Sequence, residues 1–268
     1  MKTILLTGAT DGIGLETAKI LVAQGHHVLL HGRSQEKLRY AVNTLRTIDS
    51  KSKIQTYCAD LSNFKHINLM LEEMVKQHQK IDVLINNAGV LKAPKTITVD
   101  GLDLRFVVNT FAPYIITKKL LPLLASDGRI INLSSAAQAP IDLDAMAGKR
   151  PIDEDFQAYA QSKLAITIWS LQMAKQLAPN QVIVAVNPGS MLASKMVKEG
   201  FGVQGNDLKI GSDILVKAAL SEEFLGASGR YFDNDSQRFA LPHLEAQDHT
   251  KCSQIMNVMD SIIERSAH

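Results

Sequence analysis

Residues 7–14 read Thr7-Gly8-Ala9-Thr10-Asp11-Gly12-Ile13-Gly14. They close a short apolar run, Thr3–Thr7, and open a segment in which Ile13, Thr17, Ile20 and Leu21 recur at helical spacing. A glycine-rich turn between a first strand and its helix predicts a dinucleotide site. Gly8 permits the tight turn, Gly12 lets a pyrophosphate approach the backbone, and Gly14 lets the helix pack near the strand. The helix N-terminus then offers unpaired N–H groups to phosphate, so the whole stretch with Thr10, Asp11 and Ile13 is assigned to the ligand. The spacing is G-x-x-x-G-x-G, not the more widespread G-x-G-x-x-G.

Outward from this turn, β-rich runs recur at His27–His31, Lys53–Cys58, Asp82–Asn86, Gly128–Leu133, Gln181–Val186 and Arg230–Phe232, with helical periodicity between them. Strands that read as near-continuous Val, Ile and Leu and alternate with helices imply a parallel sheet covered on both faces. The expected fold is therefore α/β, a doubly wound Rossmann-type sheet of about seven strands in the order 3-2-1-4-5-6-7. No linker, repeat or low-complexity tract divides residues 1–268, which predicts one domain. Two stretches break the rhythm, Ala136 to Gln157 and Gly189 to Ile210. Both leave the C-terminal ends of strands, where open α/β sheets bind ligands, and both are read as substrate-side loops, the second as a glycine-rich lid.

The composition narrows the class. The chain has 268 residues, 29 Lys+Arg and 27 Asp+Glu, a net charge of +2. These charges are scattered along the length, so no nucleic-acid partner is expected. Hydrophobic residues at 46% and charged residues at 21% are globular values that exclude a mainly disordered chain. Cys58 and Cys252 stand far apart and form no metal or disulfide pattern, which fits a reducing compartment. No run reaches the roughly 18 apolar residues of a membrane span. The expectation is a soluble cytoplasmic protein with no membrane partner and no metal.

The second strand ends His31-Gly32-Arg33-Ser34. NAD enzymes place an acid here for the ribose 2′-hydroxyl, whereas an arginine suits the 2′-phosphate of NADP. Gly32 stands where the acid is expected and Arg33 follows, with Ser34 beside it, so NADP(H) is favoured over NAD(H). Asp11, an acid in the phosphate turn, points the other way.

Tyr159 and Lys163 stand at i and i+4, on one face of a helix. Alone the pair has little specificity. Its weight comes from order along the chain, after the glycine turn, Asn86-Asn87-Ala88-Gly89 and Asn132-Leu133-Ser134-Ser135, which all fall at strand ends that meet at one crevice. With these motifs in this order, the sequence resembles the short-chain dehydrogenase/reductase family over essentially its whole length, through Thr7–Gly14, Asp60-Leu61, Asn86–Gly89, Asn109, Ser135, Tyr159, Lys163 and Asn187-Pro188-Gly189. The resemblance implies Tyr159 as general acid/base, Ser135 bonding the substrate oxygen with Ser134 as the alternative, and Lys163 on the nicotinamide ribose. Asn109 would anchor a water of the proton relay. It further implies Asp60 and Leu61 beside the adenine, Asn87, Ala88 and Gly89 along the adenosine ribose, and Pro188, Gly189 and Ser190 at the nicotinamide. The substrate class implied is a small carbonyl or alcohol, and the assembly compatible with it is a homodimer.

A tyrosine useful near neutrality needs its pKa lowered by about 3 units, about 4 kcal/mol. A Lys163 ammonium some 4 Å away would contribute about that much at an effective dielectric near 20. Two departures stand out. Ser135 and Tyr159 are 24 positions apart, a length that resembles the branch of retinol dehydrogenases and the WW-domain oxidoreductase. Many relatives carry Thr five residues after the proline of the Pro-Gly turn; Ala193 stands here, leaving Ser190 or Ser194 to replace it. The competing reading from another class is a non-catalytic NADP(H)-binding regulatory protein on the same fold.

Other features are given ordinary roles. His26, His27 and His31 are read as surface residues, Asp142-Leu143-Asp144 as solvated acid, and Met173, Met256 and Met259 as core. Met191 and Met196 are expected to line an adaptable pocket, and Ile166 and Trp169 to be core or subunit contact.

Overall fold

Thr3–Leu6 forms β1 and Gly12–Ala23 forms α1, and Asp11 caps the helix by accepting from Gly12 N at 2.8 Å. In this computed structural model, which describes residues 1–266, the unit repeats as β2 (His27–Gly32), α2 (Gln35–Arg46), β3 (Ile54–Cys58), α3 (Phe64–Gln77) and β4 (Ile81–Asn86). Ser34 and Asn63 cap α2 and α3, accepting from Lys37 N and His66 N, so each helix starts within a few residues of its strand. After β4 come α4 (Leu104–Phe106), a π-helical turn over Val107–Phe111 and α5 (Ala112–Leu120). Then follow β5 (Leu124–Leu133), α6 (Leu143–Met146), α7 (Asp155–Met173), β6 (Val182–Asn187), α8 (Lys195–Phe201) and α9 (Leu208–Leu220). The described chain ends in β7 (Arg230–Asp233), β8 (Arg238–Ala240) and α10 (His249–Ser266).

The strands form one sheet in the order 3-2-1-4-5-6-7-8. The seven expected strands are parallel and in the expected order; β8 is an additional antiparallel edge strand on β7. Its three residues carry too little apolar pattern to stand out in the sequence. Successive strand residues face opposite sides. Leu5, Leu29, Leu84, Ile130 and Ile183 pack on the side of α3, α5, α7 and α10. Ile4, Leu6, Val28, Leu30, Ile85 and Val184 pack on the side of α1, α2 and α9. Both faces are covered, which is why the central strands are apolar at most positions on both sides.

Several expectations are corrected. The first long loop ends at Glu154, because α7 already begins at Asp155, and it contains α6. Asp142 is no solvated acid: it caps α6, accepting from Asp144 N and Ala145 N at 3.1 Å. The stretch 189–210 contains α8 and the start of α9. Ile166 and Trp169, by contrast, are core as one of their two expected roles had it, buried on α7 in the cluster that also holds Ile255, Met259 and Ile262 of α10. His31 is buried, at 2% exposure.

Candidate active site

The glycine turn sits against the end of β4. Thr7 Oγ1 accepts from Asn87 N at 3.0 Å and Ala88 N at 3.1 Å, and Asn87 Nδ2 donates to Thr7 O and Gly8 O at 2.8 and 3.0 Å. These bonds occupy the Asn87 amide and leave Ala88 and Gly89 as the edge of the crevice. A Cβ on Gly14 would stand 2.1 Å from Gly8 O, so only glycine allows α1 to start here. At Gly12 the nearest neighbour of such an atom is Ser194 Cβ, 3.8 Å away. The N-terminus of α1 therefore faces open space beneath Ser194, a shape that fits a pyrophosphate. Ile13 turns away to pack against Gly211 of α9.

His31 holds the turn from below. Nε2 lies 3.0 Å from Ala59 O, and Nδ1 accepts from Gly8 N at 3.3 Å. This pairing requires the neutral ring with its proton on Nε2, and burial pushes its pKa down to about 4. The signal in the sequence was a histidine that follows the apolar run Val28-Leu29-Leu30 directly before Gly32.

At the end of β2, a Cβ on Gly32 would meet Thr10 Cγ2 at 2.6 Å, so a side chain there would require Thr10 to shift. Arg33 is exposed beside it, and Ser34 is occupied as the cap of α2. Lys37, which sequence reasoning missed, stands one turn into α2 with its ammonium 3.8 Å from the Asp11 carboxylate. The acid in the turn is thus a helix cap facing a cation. Asp60 accepts from Ser62 N and Ser62 Oγ at 2.9 and 2.8 Å, and Leu61 is buried in the core.

The strand-end motifs converge as expected. Asn86 Nδ2 donates to Asn132 Oδ1 at 2.7 Å, and Asn132 Nδ2 donates to Ser170 Oγ at 2.8 Å, tying β4 and β5 to α7 through buried polar groups. Ser134 Oγ lies 2.6 Å from Thr167 Oγ1 and donates to Lys163 O at 3.1 Å, so it is a buried strut. Ser135 Oγ accepts from Ala137 N at 3.1 Å, and its hydroxyl lies close enough to the Tyr159 phenol to oppose the rise in that group's pKa. Of the two serines, Ser135 is the one in the crevice.

Tyr159 is half-buried on α7. The start of that helix is anchored by the fully buried Arg105, which pairs with Asp103 at 2.9 Å and with Asp155, one turn before Tyr159, at 3.0 Å. Lys163 Nζ donates to Leu133 O at 2.7 Å and lies 5.6 Å from the Tyr159 ring centroid. An atom placed as a Cβ on Gly89 would be 3.4 Å from Asn109 Oδ1, 3.6 Å from Lys163 Nζ and 3.6 Å from Met196 Cε. These three groups therefore surround one point. Asn109 owes its aim to the π turn; its side chain donates to Val90 O and Ser162 Oγ at 2.9 Å and accepts from Val90 N at 2.8 Å.

The electrostatics depart from the sequence-based expectation. Burial raises the Tyr159 pKa, with the Ser135 bond opposing it, and burial lowers that of Lys163 to about 7. Both groups are desolvated in the ligand-free protein, and each is held toward its neutral form.

Pro188 is buried behind Gly189. Ser190 is fully engaged by Asp235, through its N at 2.8 Å and its Oγ at 2.5 Å. Ser194 caps α8 and stands over Gly12, which places its hydroxyl, and not that of Ser190, nearer the phosphate turn. Met196 reaches the pocket, while Met191 is exposed at φ 55°. Among the described residues, no group of three metal-ligating side chains occurs and no helix is long and apolar enough to cross a membrane.

Comparison with known proteins agrees with this geometry. The family model for short chain dehydrogenase matches residues 2–202. Human "Retinol dehydrogenase 13" is 31% identical over 268 residues, covering 92% of this chain and 80% of its own. A Mycobacterium paratuberculosis crystal structure superposes with a TM-score of 0.82 at 22% identity, over 98% of this chain and 94% of that one. A metagenomic short-chain oxidoreductase in complex with NADP is 27% identical with a TM-score of 0.62, over 81% and 90% of the two chains. The chain is thus an oxidoreductase belonging to the short-chain dehydrogenase family, in its retinol dehydrogenase branch.

Proposed function

We propose that this protein transfers hydride between NADP(H) and a carbonyl or alcohol substrate, with Tyr159 as the general acid/base. The observation that carries the reading is the convergence of Ser135, Tyr159 and Lys163 on one crevice, with Asn109 and Lys163 meeting beside Gly89. The N-terminus of α1 would hold the pyrophosphate, Arg33 and Lys37 the 2′-phosphate, Ser194 the middle of the ligand and Lys163 the nicotinamide ribose. Glycine in place of an acid at position 32 and the NADP-bound relative support the phosphorylated cofactor. The bound dinucleotide supplies or accepts the hydride.

The protein's part is proton chemistry and orientation. In reduction, Ser135 donates a hydrogen bond to the carbonyl oxygen, and Tyr159 delivers its proton to that oxygen as hydride reaches the carbon. A phenol held neutral by burial is the form this direction requires. Lys163, with a pKa near neutrality, and a water held at Asn109 return the proton from solvent. In oxidation the same atoms run in reverse. The two free cysteines are consistent with a reducing, cytoplasmic setting.

The test is NADPH oxidation against a panel of aldehydes, ketones and quinones, repeated with Tyr159→Phe. Turnover should fall by at least about 10² while NADPH affinity stays within a few-fold. NADPH binding with no turnover on any carbonyl would favour a nucleotide-binding regulator.

A further inference from the structure

The family match ends at residue 202. The turn between β7 and β8, residues 234–237, lies beyond it and reaches back to the crevice. Asn234 is buried at 5% exposure, and its Nδ2 donates to Pro188 O at 2.9 Å and to Ile210 O at 3.4 Å. One side chain thus grips both ends of the 189–210 loop. Gln237 Nε2 donates to Asn234 Oδ1 at 2.7 Å, which fixes the amide orientation. Next to it, Asp235 accepts from Ser190 N, Ser190 Oγ and Asn187 Nδ2. Above this base the loop is zipped by Ala193 N donating to Asn206 O at 2.7 Å and Asn206 N donating to Met191 O at 2.6 Å. From β7 itself, Tyr231 donates to Ser135 O at 3.1 Å.

We propose that Asn234 and Asp235 are positioning residues. They hold the stem of the 189–210 loop and so set where the Pro188–Ser190 wall and Ser194 stand against the nicotinamide half of the dinucleotide. The stem, residues 188–193 and 205–210, is fixed, and only α8 with residues 202–204 swings. The inference rests on the assignment of this wall to NADP(H) under Proposed function.

Two nearly isosteric substitutions test it in the full chain. Asn234→Asp turns the donor into an acceptor facing two carbonyl oxygens. Asp235→Asn brings an amide donor against Asn187 Nδ2, and because Asp235 is exposed this variant leaves the core intact. In the free protein, amide exchange at 189–193 and 206 should accelerate by about tenfold in both variants, with β6 and β7 unchanged. Affinity for adenosine 2′,5′-bisphosphate, which reaches only the Arg33 end, should not change. NADPH affinity should fall by about fivefold and kcat by about tenfold, and Asp235→Glu, which keeps both acceptor oxygens, should recover most of the loss. Unchanged exchange in Asp235→Asn would overturn the clasp. Faster exchange with unchanged NADPH affinity would overturn the positioning role. If the native protein reduced no carbonyl, the proposed reaction would fail, while exchange and the comparison of the two nucleotides would still decide the clasp.

Discussion

Arg33 and Lys163 are both cations of the proposed site, and their surroundings give them opposite sensitivities. Arg33 is exposed at the adenosine end, so its removal should leave the fold untouched. Arg33→Ala is expected to weaken NADPH binding by about 10- to 100-fold and NADH binding hardly at all, which parallel titrations would check. Lys163 is buried, with a pKa near 7 against 10.5 for a free lysine. The unfolded chain binds more protons than the folded one between these values, so stability rises with pH across that window and the full penalty is present below it. Lys163→Met should therefore stabilise the ligand-free protein by up to about 5 kcal/mol near pH 6 and by little near pH 10, measured by urea unfolding. An equal gain at both pH values would contradict the assignment. That Tyr159, Lys163 and Ser135 come together was legible from motif order, but the direction of the tyrosine shift was not. It depends on how much water reaches the phenol and the ammonium, and sequence carries no measure of that. His31 was misread for a related reason: a cluster with His26 and His27 suggests surface, yet the apolar neighbours of His31 on β2 already indicated burial.

Among the elements, α8 departs most from a structureless glycine-rich lid. Ser194 caps it, Met196 puts its tip beside Gly89, and Gly200 packs against Leu91. The helix thus lies across the crevice in the ligand-free protein. Binding of NADPH with a substrate analogue is expected to change amide exchange in 195–204, slowing it, while the stem keeps its rate. A loop that gained protection uniformly over 189–210, or one that changed nowhere, would argue against a swinging helix on a fixed stem. The parallel strands and the helices after them were legible because strand runs, helical periodicity and the glycine turn agree locally. The stem was not legible, because its bonds join residue 188 to residue 234, and no local pattern announces a contact of that range.

For the molecule as a whole, the doubly wound order brings the ends of β1, β4, β5 and β6 to one edge, and the chain after residue 202 completes that edge from the other side. The α7 face away from the sheet is covered by α10, where Tyr114 and Lys118 of α5 also meet Asp260 at 2.9 and 3.0 Å. Ile166 and Trp169 are therefore unavailable as subunit contacts. The central claim is that this edge moves a hydride and a proton in one reaction through Tyr159. Its most direct test uses NADPH with both hydrogens of the transferring carbon replaced by deuterium, an aldehyde or ketone drawn from the panel, and mass spectrometry of the alcohol formed by the native protein and by Tyr159→Phe. The account predicts one deuterium on the former carbonyl carbon, formed at least about 10² times more slowly by the variant. Alcohol without deuterium, or equal rates from the two proteins, would contradict it.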